Sequence, residues 1–257
     1  MSSLRRDDGS AGDVDYGVFG YDYARYRQPE PRIAELILKA LGGASTVLNV
    51  GAGAGSYEPQ DREVIAVEPS ESMRNQRPSH LSKAVDAVAE QLPFEDGRFA
   101  AAMATFTVHQ WNDLEAGLGE MRRVASGPVL ILTCDPDKLD RFWLNEYCPE
   151  VIAVEARRYP PISAIENALG RQTRIYPVPI PLDCVDGFGE AYYGRPEMFL
   201  EPGARLANSA WSFVDDDVEQ RAIDKLQHDL TSGIWDAQHG HLRTQPQFEG
   251  SLVLIVG

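Results

Sequence analysis

The segment VLNVGAGAGS, residues 47–56, is an apolar run that ends in three glycines at alternate positions. Such a run reads as a buried strand feeding a tight turn, because glycine lets the backbone take positive φ and come within contact distance of a ligand. A second apolar run over 64–67 ends at Glu68. An acid at that strand end can accept hydrogen bonds from both hydroxyls of a ribose. The two elements together read as an adenosine site. The sixth loop position is Ser56, where a dinucleotide fingerprint has glycine, and no Lys-Ser or Lys-Thr follows as a nucleoside triphosphate loop requires. With no pyrophosphate cradle, the expected ligand carries adenosine and an uncharged or zwitterionic tail.

Outward from this segment, apolar runs over 84–88, 100–106 and 129–132 continue an alternation of strands with helical stretches. Five strands in that order predict a parallel sheet with helices on both faces. Upstream, Ile33, Leu36, Ile37, Ala40 and Leu41 repeat at helical spacing and predict an amphipathic helix over 31–41. Downstream, 135–247 carries proline and aromatic clusters, a strand near 174–180, and a helix over 215–234 with Val218, Ala222, Leu226, Leu230 and Ile234 on one face. SLVLIV at 251–256 returns the chain to the sheet. The expected organisation is a disordered tail over 1–14 and a single domain over 15–257. Within it, 31–134 binds the cofactor, 135–247 is an acceptor-pocket insert or cap, and 248–257 is the final strand.

At 257 residues, roughly 150 per domain allows one large domain or one with a substantial insert. With 43% hydrophobic and 25% charged residues the chain is an ordinary globular one. Its 24 basic and 39 acidic residues leave a net charge of −15, which repels phosphate backbones and anionic lipids. Neither nucleic acid nor membrane is therefore expected as a partner. With no signal-like apolar segment and no run of about 18 apolar residues, a cytoplasmic protein is expected. Cys134, Cys148 and Cys184 are widely spaced and read as buried or incidental thiols, and His239 and His241 as loop histidines, so no metal is expected.

Four stretches resemble the class I S-adenosylmethionine-dependent methyltransferases, and most closely the type 11 family: VLNVGAGAGSYEP at 47–59, VIAVEPSESM at 64–73, AEQLPFEDGRFAAAMA at 89–104 and HQW through EMRRV at 109–124. The resemblance implies a Rossmann-like three-layer α/β/α sandwich. Its mostly parallel seven-stranded sheet would run 3-2-1-4-5-7-6 with the last strand antiparallel, beside a helical cap insert. It also implies S-adenosylmethionine as cofactor and S-adenosylhomocysteine as product. Gly51, Gly53 and Gly55 would contact the methionine part, Glu68 would hold the ribose, and the Ala89–Glu90 turn would lie along the adenine. Asn49, Ala52, Pro69, Met73 and Thr107 complete the expected cofactor wall. YDYARYR at 21–27, with Tyr21 and Arg25, resembles the segment that family members fold over the cofactor. Two positions depart from the family: Asn49 stands where an acid is usual, and Val88 where a polar or acidic residue is usual.

Methyl transfer from a sulfonium is an in-line displacement, so the protein must position a nucleophile and, where needed, take its proton. His109, directly after the fourth expected strand, is the expected base. Trp111, Asp135 and Trp143 are expected on the acceptor side, with Tyr192, Tyr193 and Arg195 as a further acceptor cluster. The expected activity is methylation of a small-molecule acceptor by a monomer or homodimer. The alternatives are an S-adenosylmethionine-binding regulator without turnover and an RNA-modifying methyltransferase.

Overall fold

Along 129–134 Leu130, Leu132 and Cys134 pack into one apolar cluster while Val129 and Ile131 pack into another. Along 252–256 Leu252 and Leu254 join the first cluster, Val253 and Ile255 the second. Successive strand residues point to opposite faces, so runs buried on both sides belong to central strands covered above and below.

The computed structural model describes residues 23–170 and 172–257; the expected tail over 1–14 and Tyr21 lie outside them. In chain order the elements are α1 (Tyr23–Tyr26), α2 (Pro31–Leu41), β1 (Thr46–Val50), β2 (Glu63–Val67), α3 (Glu71–Asn75), β3 (Ala101–Thr105), α4 (Leu114–Val124) and β4 (Val129–Cys134). There follow α5 (Pro149–Arg158), α6 (Ile162–Leu169), β5 (Arg174–Pro177), β6 (Ile180–Pro181), α7 (Pro202–Leu206), α8 (Asp216–Ser232), α9 (Ile234–His239), β7 (Gln247–Phe248) and β8 (Leu252–Val256). The main sheet runs β2-β1-β3-β4-β8-β5, with β1 to β4 parallel and β8 antiparallel to both neighbours. Helix α2 starts on Pro31, is capped by the Glu30 side chain, and buries Ile33, Ile37 and Leu41 on one face of the sheet. Helix α4, capped by Asp113, buries Leu118, Met121 and Val124 on the other. The architecture is the expected three-layer α/β/α sandwich.

Four expectations are corrected. The sheet has six strands where seven were expected, because 84–88 pairs only through Val85: its amide donates to the Ala66 carbonyl and its carbonyl accepts from the Glu68 amide. Ala87, Val88 and Ala89 are buried consecutively, which a pleated strand with one covered face cannot achieve. The strand expected over 174–180 splits into β5 and β6, since Pro177 and Pro179 have no amide to donate to a ladder. The helix expected over 215–234 ends at Ser232, where Gly233 takes a left-handed φ of 78° and starts α9. The segment 135–247 is more than a cap, because it supplies edge strand β5 and places α6 against α4. Elsewhere it alternates the helices α5, α7, α8 and α9 with short 3₁₀ pieces. All three cysteines are buried thiols. Among the described residues no helix is long and apolar enough to cross a membrane.

Candidate functional site

The loop after β1 winds through positive φ at Gly51 (67°), Gly53 (51°) and Gly55 (99°). Side chains rarely adopt that region, so alternate glycines let the chain reverse direction there twice within five residues. Two of them also face close neighbours, and at Gly51 these include the Thr107 Cβ itself. A Cβ on Gly51 would lie 2.1 Å from Thr107 Oγ1, and one on Gly55 would lie 2.2 Å from Leu81 Cδ1. At Gly53 only Met73 Cε comes near, at 3.2 Å, and its amide donates to Glu68 Oε2 at 2.8 Å. Glu68 Oε1 accepts from the Ser70 amide at 2.8 Å, so the carboxylate is clamped between loop and α3. Burial pushes its carboxyl up, against the pull of these two amides.

Beneath the loop Asn49 is fully buried and donates from Nδ2 to Glu58 Oε1 at 3.1 Å. Arg77 pairs with the same carboxylate at 2.9 Å and donates to the Gly53 carbonyl. Asn49 therefore braces the loop from behind and does not line the cleft.

At the carboxyl ends of β1, β2 and β3 these parts open into a cleft of about 960 Å³, counting its mouth. Gly51, Ala52, Gly53, Glu68, Pro69, Met73, Ala89, Thr107 and Trp111 line it. So do Tyr57, Phe106 and Gln110, which were not singled out in the sequence, and Arg27, the last residue of the 21–27 segment expected over the cofactor. Tyr57 and Phe106 hold φ of 63° and 53°, a conformation non-glycine residues rarely adopt and one that clusters at binding sites. Tyr57 donates its hydroxyl to Asp186 Oδ2 at 2.8 Å, and Arg27 donates from Nε to Asp186 Oδ1 at 2.6 Å. A buried carboxylate from the far part of the chain thus fixes two walls of the cleft. A nucleoside with a short zwitterionic tail suits this set: acceptor oxygens on Glu68, loop backbone at Gly53, and aromatic faces at Trp111, Phe106 and Tyr57.

Residues 48–131 match the family model of the type 11 methyltransferase domain. A chain from Anabaena variabilis assigned to the methyltransferases of an antibiotic biosynthesis pathway is 28% identical, with 90% of this chain and 98% of that one covered and a TM-score of 0.84. Over residues 48–131 the chain thus carries a methyltransferase domain. It is an S-adenosylmethionine-dependent enzyme. An S-adenosylmethionine-dependent methyltransferase of Thermotoga maritima shares the fold at 17% identity and a TM-score of 0.50, covering 94% of this chain and 91% of its own. A Bacillus halodurans chain assigned to the methyltransferases does so at 17% and 0.51, covering 87% and 96%. No curated protein sequence matches the chain.

In this methyltransferase a second cleft, smaller than the first at about 480 Å³ counting its mouth, adjoins it and shares Arg27 and Phe106 with it. His109, Glu155, Tyr159 and Phe188 line it, together with residues 206–209. His109 belongs here and not to the first cleft; its ring lies 4.6 Å from that of Tyr159. Phe106 and Phe188 face each other at 5.3 Å.

Several expected contacts lie elsewhere. Gly55 packs on Leu81, and Glu90 accepts from the Asn112 and Asp113 amides ahead of α4, so neither lines a cleft. Arg25 stacks over Tyr26 at 5.6 Å. Asp135 accepts from the Asp137 amide and pairs with Lys138, an intraturn cap. Trp143 and Tyr193 are core: Trp143 donates from Nε1 to the Tyr193 carbonyl, and Tyr193 is fully buried against Phe248. Tyr192 packs edge-on against Phe199, and Arg195 donates to the Cys184 and Ala191 carbonyls. The aromatic clusters in 135–247 belong to the apolar cluster that also holds Ile33 and Ile37 of α2 and Leu130 and Leu132 of β4, so they extend the core on that face of the sheet. His239 and His241 fall on α9 and the 3₁₀ turn after it, not in a loop.

Proposed function

We propose that the methyltransferase moves a methyl group from S-adenosylmethionine to a small-molecule acceptor by in-line displacement, with the first cleft holding the donor. The observation that supports this most is the pairing of clefts: one bears the glycine loop and Glu68, and the adjoining one is lined mostly by residues of 135–247. The donor supplies an electrophilic methyl group on a sulfonium. The residues' part is to hold it and to exclude water: Glu68 takes the ribose hydroxyls, Gly53 and Ala52 back the amino-acid tail, and Trp111 and Met73 wall the base. Of the expected contacts, Pro69, Ala89 and Thr107 stay in this set, whereas Asn49 and Gly55 support it from behind. The second cleft is lined by aromatic and polar side chains together, and the charge of −15 disfavours RNA. The unusual Asn49 gives no reason to assume lost turnover, since it partners Glu58.

The experiment is calorimetric titration of the purified chain with S-adenosylmethionine, S-adenosylhomocysteine and a nicotinamide dinucleotide. Binding of the first two and not the third is the expected outcome. Absence of binding by either would withdraw the assignment of the first cleft.

A further inference from the structure

The second cleft contains a carboxylate that the fold leaves unused. Glu155, on the last turns of α5, is half-buried, and among the described residues no hydrogen bond reaches its carboxylate. Oε2 lies in the direction of Gly189, 4.0 Å from where a Cβ on that residue would stand. A half-buried carboxylate in a cleft, with no protein donor on it among the described residues, is open to a donor from a ligand. The groups around it are His109 and Tyr159 in the cleft, Arg27 and Arg158 as cations, and Cys134 and Glu190 behind. Both cations are engaged elsewhere, Arg27 by Asp186 and Arg158 by Ser209 Oγ at 2.9 Å. Burial outweighs their attraction and pushes the Glu155 carboxyl up to about 7, where it exchanges protons near neutrality. Phe106, Phe188 and Tyr159 supply aromatic walls, and residues 206–209 close the rest with Leu206, Ala207, Asn208 and Ser209.

We propose that the second cleft is the acceptor subsite, that its ligand is a small flat molecule bearing an amine or hydroxyl, and that Glu155 takes the proton from the nitrogen or oxygen that is methylated. The proposal rests on the first cleft being the donor site. The heteroatom's lone pair forms the new bond to the methyl carbon, and the carbon–sulfur bond breaks with its electron pair left on sulfur. The heteroatom's proton passes to Glu155. A sulfonium cation and a carboxylate anion become a neutral thioether and a neutral acid, so atoms and charge balance.

The test uses the full chain and a panel of one-ring amines and phenols, among them benzylamine, tyramine and catechol. Binding to the S-adenosylhomocysteine-loaded protein is followed by saturation-transfer NMR, and transfer of isotope-labelled methyl from S-adenosylmethionine is followed across neutral pH. The expected result is methylation of at least one panel member on nitrogen or oxygen, with a rate that rises through an apparent pKa near 7. Glu155→Gln should cut that rate about 100-fold or more, the scale of general-base catalysis, and remove the rise while donor affinity holds. His109→Ala should keep the rise, and Glu155→Asp should recover part of the rate, which a misfolded variant would not. Three results would overturn the proposal in a protein that binds donor normally: no panel member bound, methylation on carbon, or a pH rise that survives Glu155→Gln. Loss of donor binding itself would instead indict the reading of the first cleft.

Discussion

At the scale of single residues, Asn49 and Glu68 differ in what they face: Asn49 braces Glu58 behind the loop, whereas Glu68 lines the first cleft. Asn49 donates to a carboxylate that is already partnered by Arg77, and burial pushes the Glu58 carboxyl up. An aspartate there would bring a second acid to within hydrogen-bond distance of the first. Asn49→Asp should therefore destabilise the fold by about 1–3 kcal/mol at neutral pH, measured by urea denaturation, with the loss shrinking as pH falls and one acid protonates. Glu68 holds two loop amides and still presents lone pairs to the cleft. Glu68→Ala should weaken S-adenosylmethionine binding by about 1–3 kcal/mol in calorimetry; unchanged affinity would remove Glu68 from the ribose site. The place of Glu68 in the first cleft was legible because glycine loop and acid follow consecutive strands. That of Asn49 was not, because Glu58 is nine residues on and its side chain turns back under the loop.

At the scale of elements, regular segments were legible and their interruptions were less so. The helix expected over 31–41 is α2, since proline start, apolar period and glycine stop coincide locally. The segment 84–88 was misjudged because an edge position depends on how long its single neighbour lasts, which composition does not record. A glycine inside α4 gives this scale its prediction. A Cβ on Gly117 would lie 2.6 Å from Trp111 Cε3, and Trp111 forms a wall of the first cleft. Alanine is the better helix former by about 1 kcal/mol, yet it would drive the indole outward. Gly117→Ala should thus lower donor affinity several-fold and shift tryptophan fluorescence while leaving helix content intact. A gain in stability with unchanged affinity would show that the indole relaxes without cost.

At the scale of the whole molecule, the segment 135–247 is tied to the sheet through Glu190, whose carboxylate accepts from the amide and hydroxyl of Ser251 just before β8. Burial pushes this carboxyl up to about 7 despite those bonds. Between the unfolded value near 4.5 and about 7 the folded chain holds a proton that the unfolded chain has lost. The stability this contributes is complete below the lower value and falls as pH rises to the upper one. Glu155 contributes with the same sign, discounted for its partial exposure. The midpoint of urea denaturation should fall from about pH 5 to about pH 8 by the equivalent of ~1–3 kcal/mol. Glu190→Gln, which keeps an acceptor for Ser251, should flatten that slope. None of these long-range ties could be read along the chain, because Glu190 and Ser251 are 61 positions apart and Arg27 and Asp186 are 159 apart.

Arg27 has a consequence that extends beyond either cleft. One guanidinium, held by Asp186 and stacked 5.2 Å from the Phe106 ring, forms part of the boundary of both. A ligand that shifts this group in filling one compartment changes the shape the other offers, so the two equilibria are linked and the linkage is reciprocal. Whatever factor the donor confers on acceptor affinity, the acceptor must return to the donor, and the spent thioether, lacking the methyl, need not confer the same factor. The order in which substrates enter and products leave would then be written in the position of a single side chain.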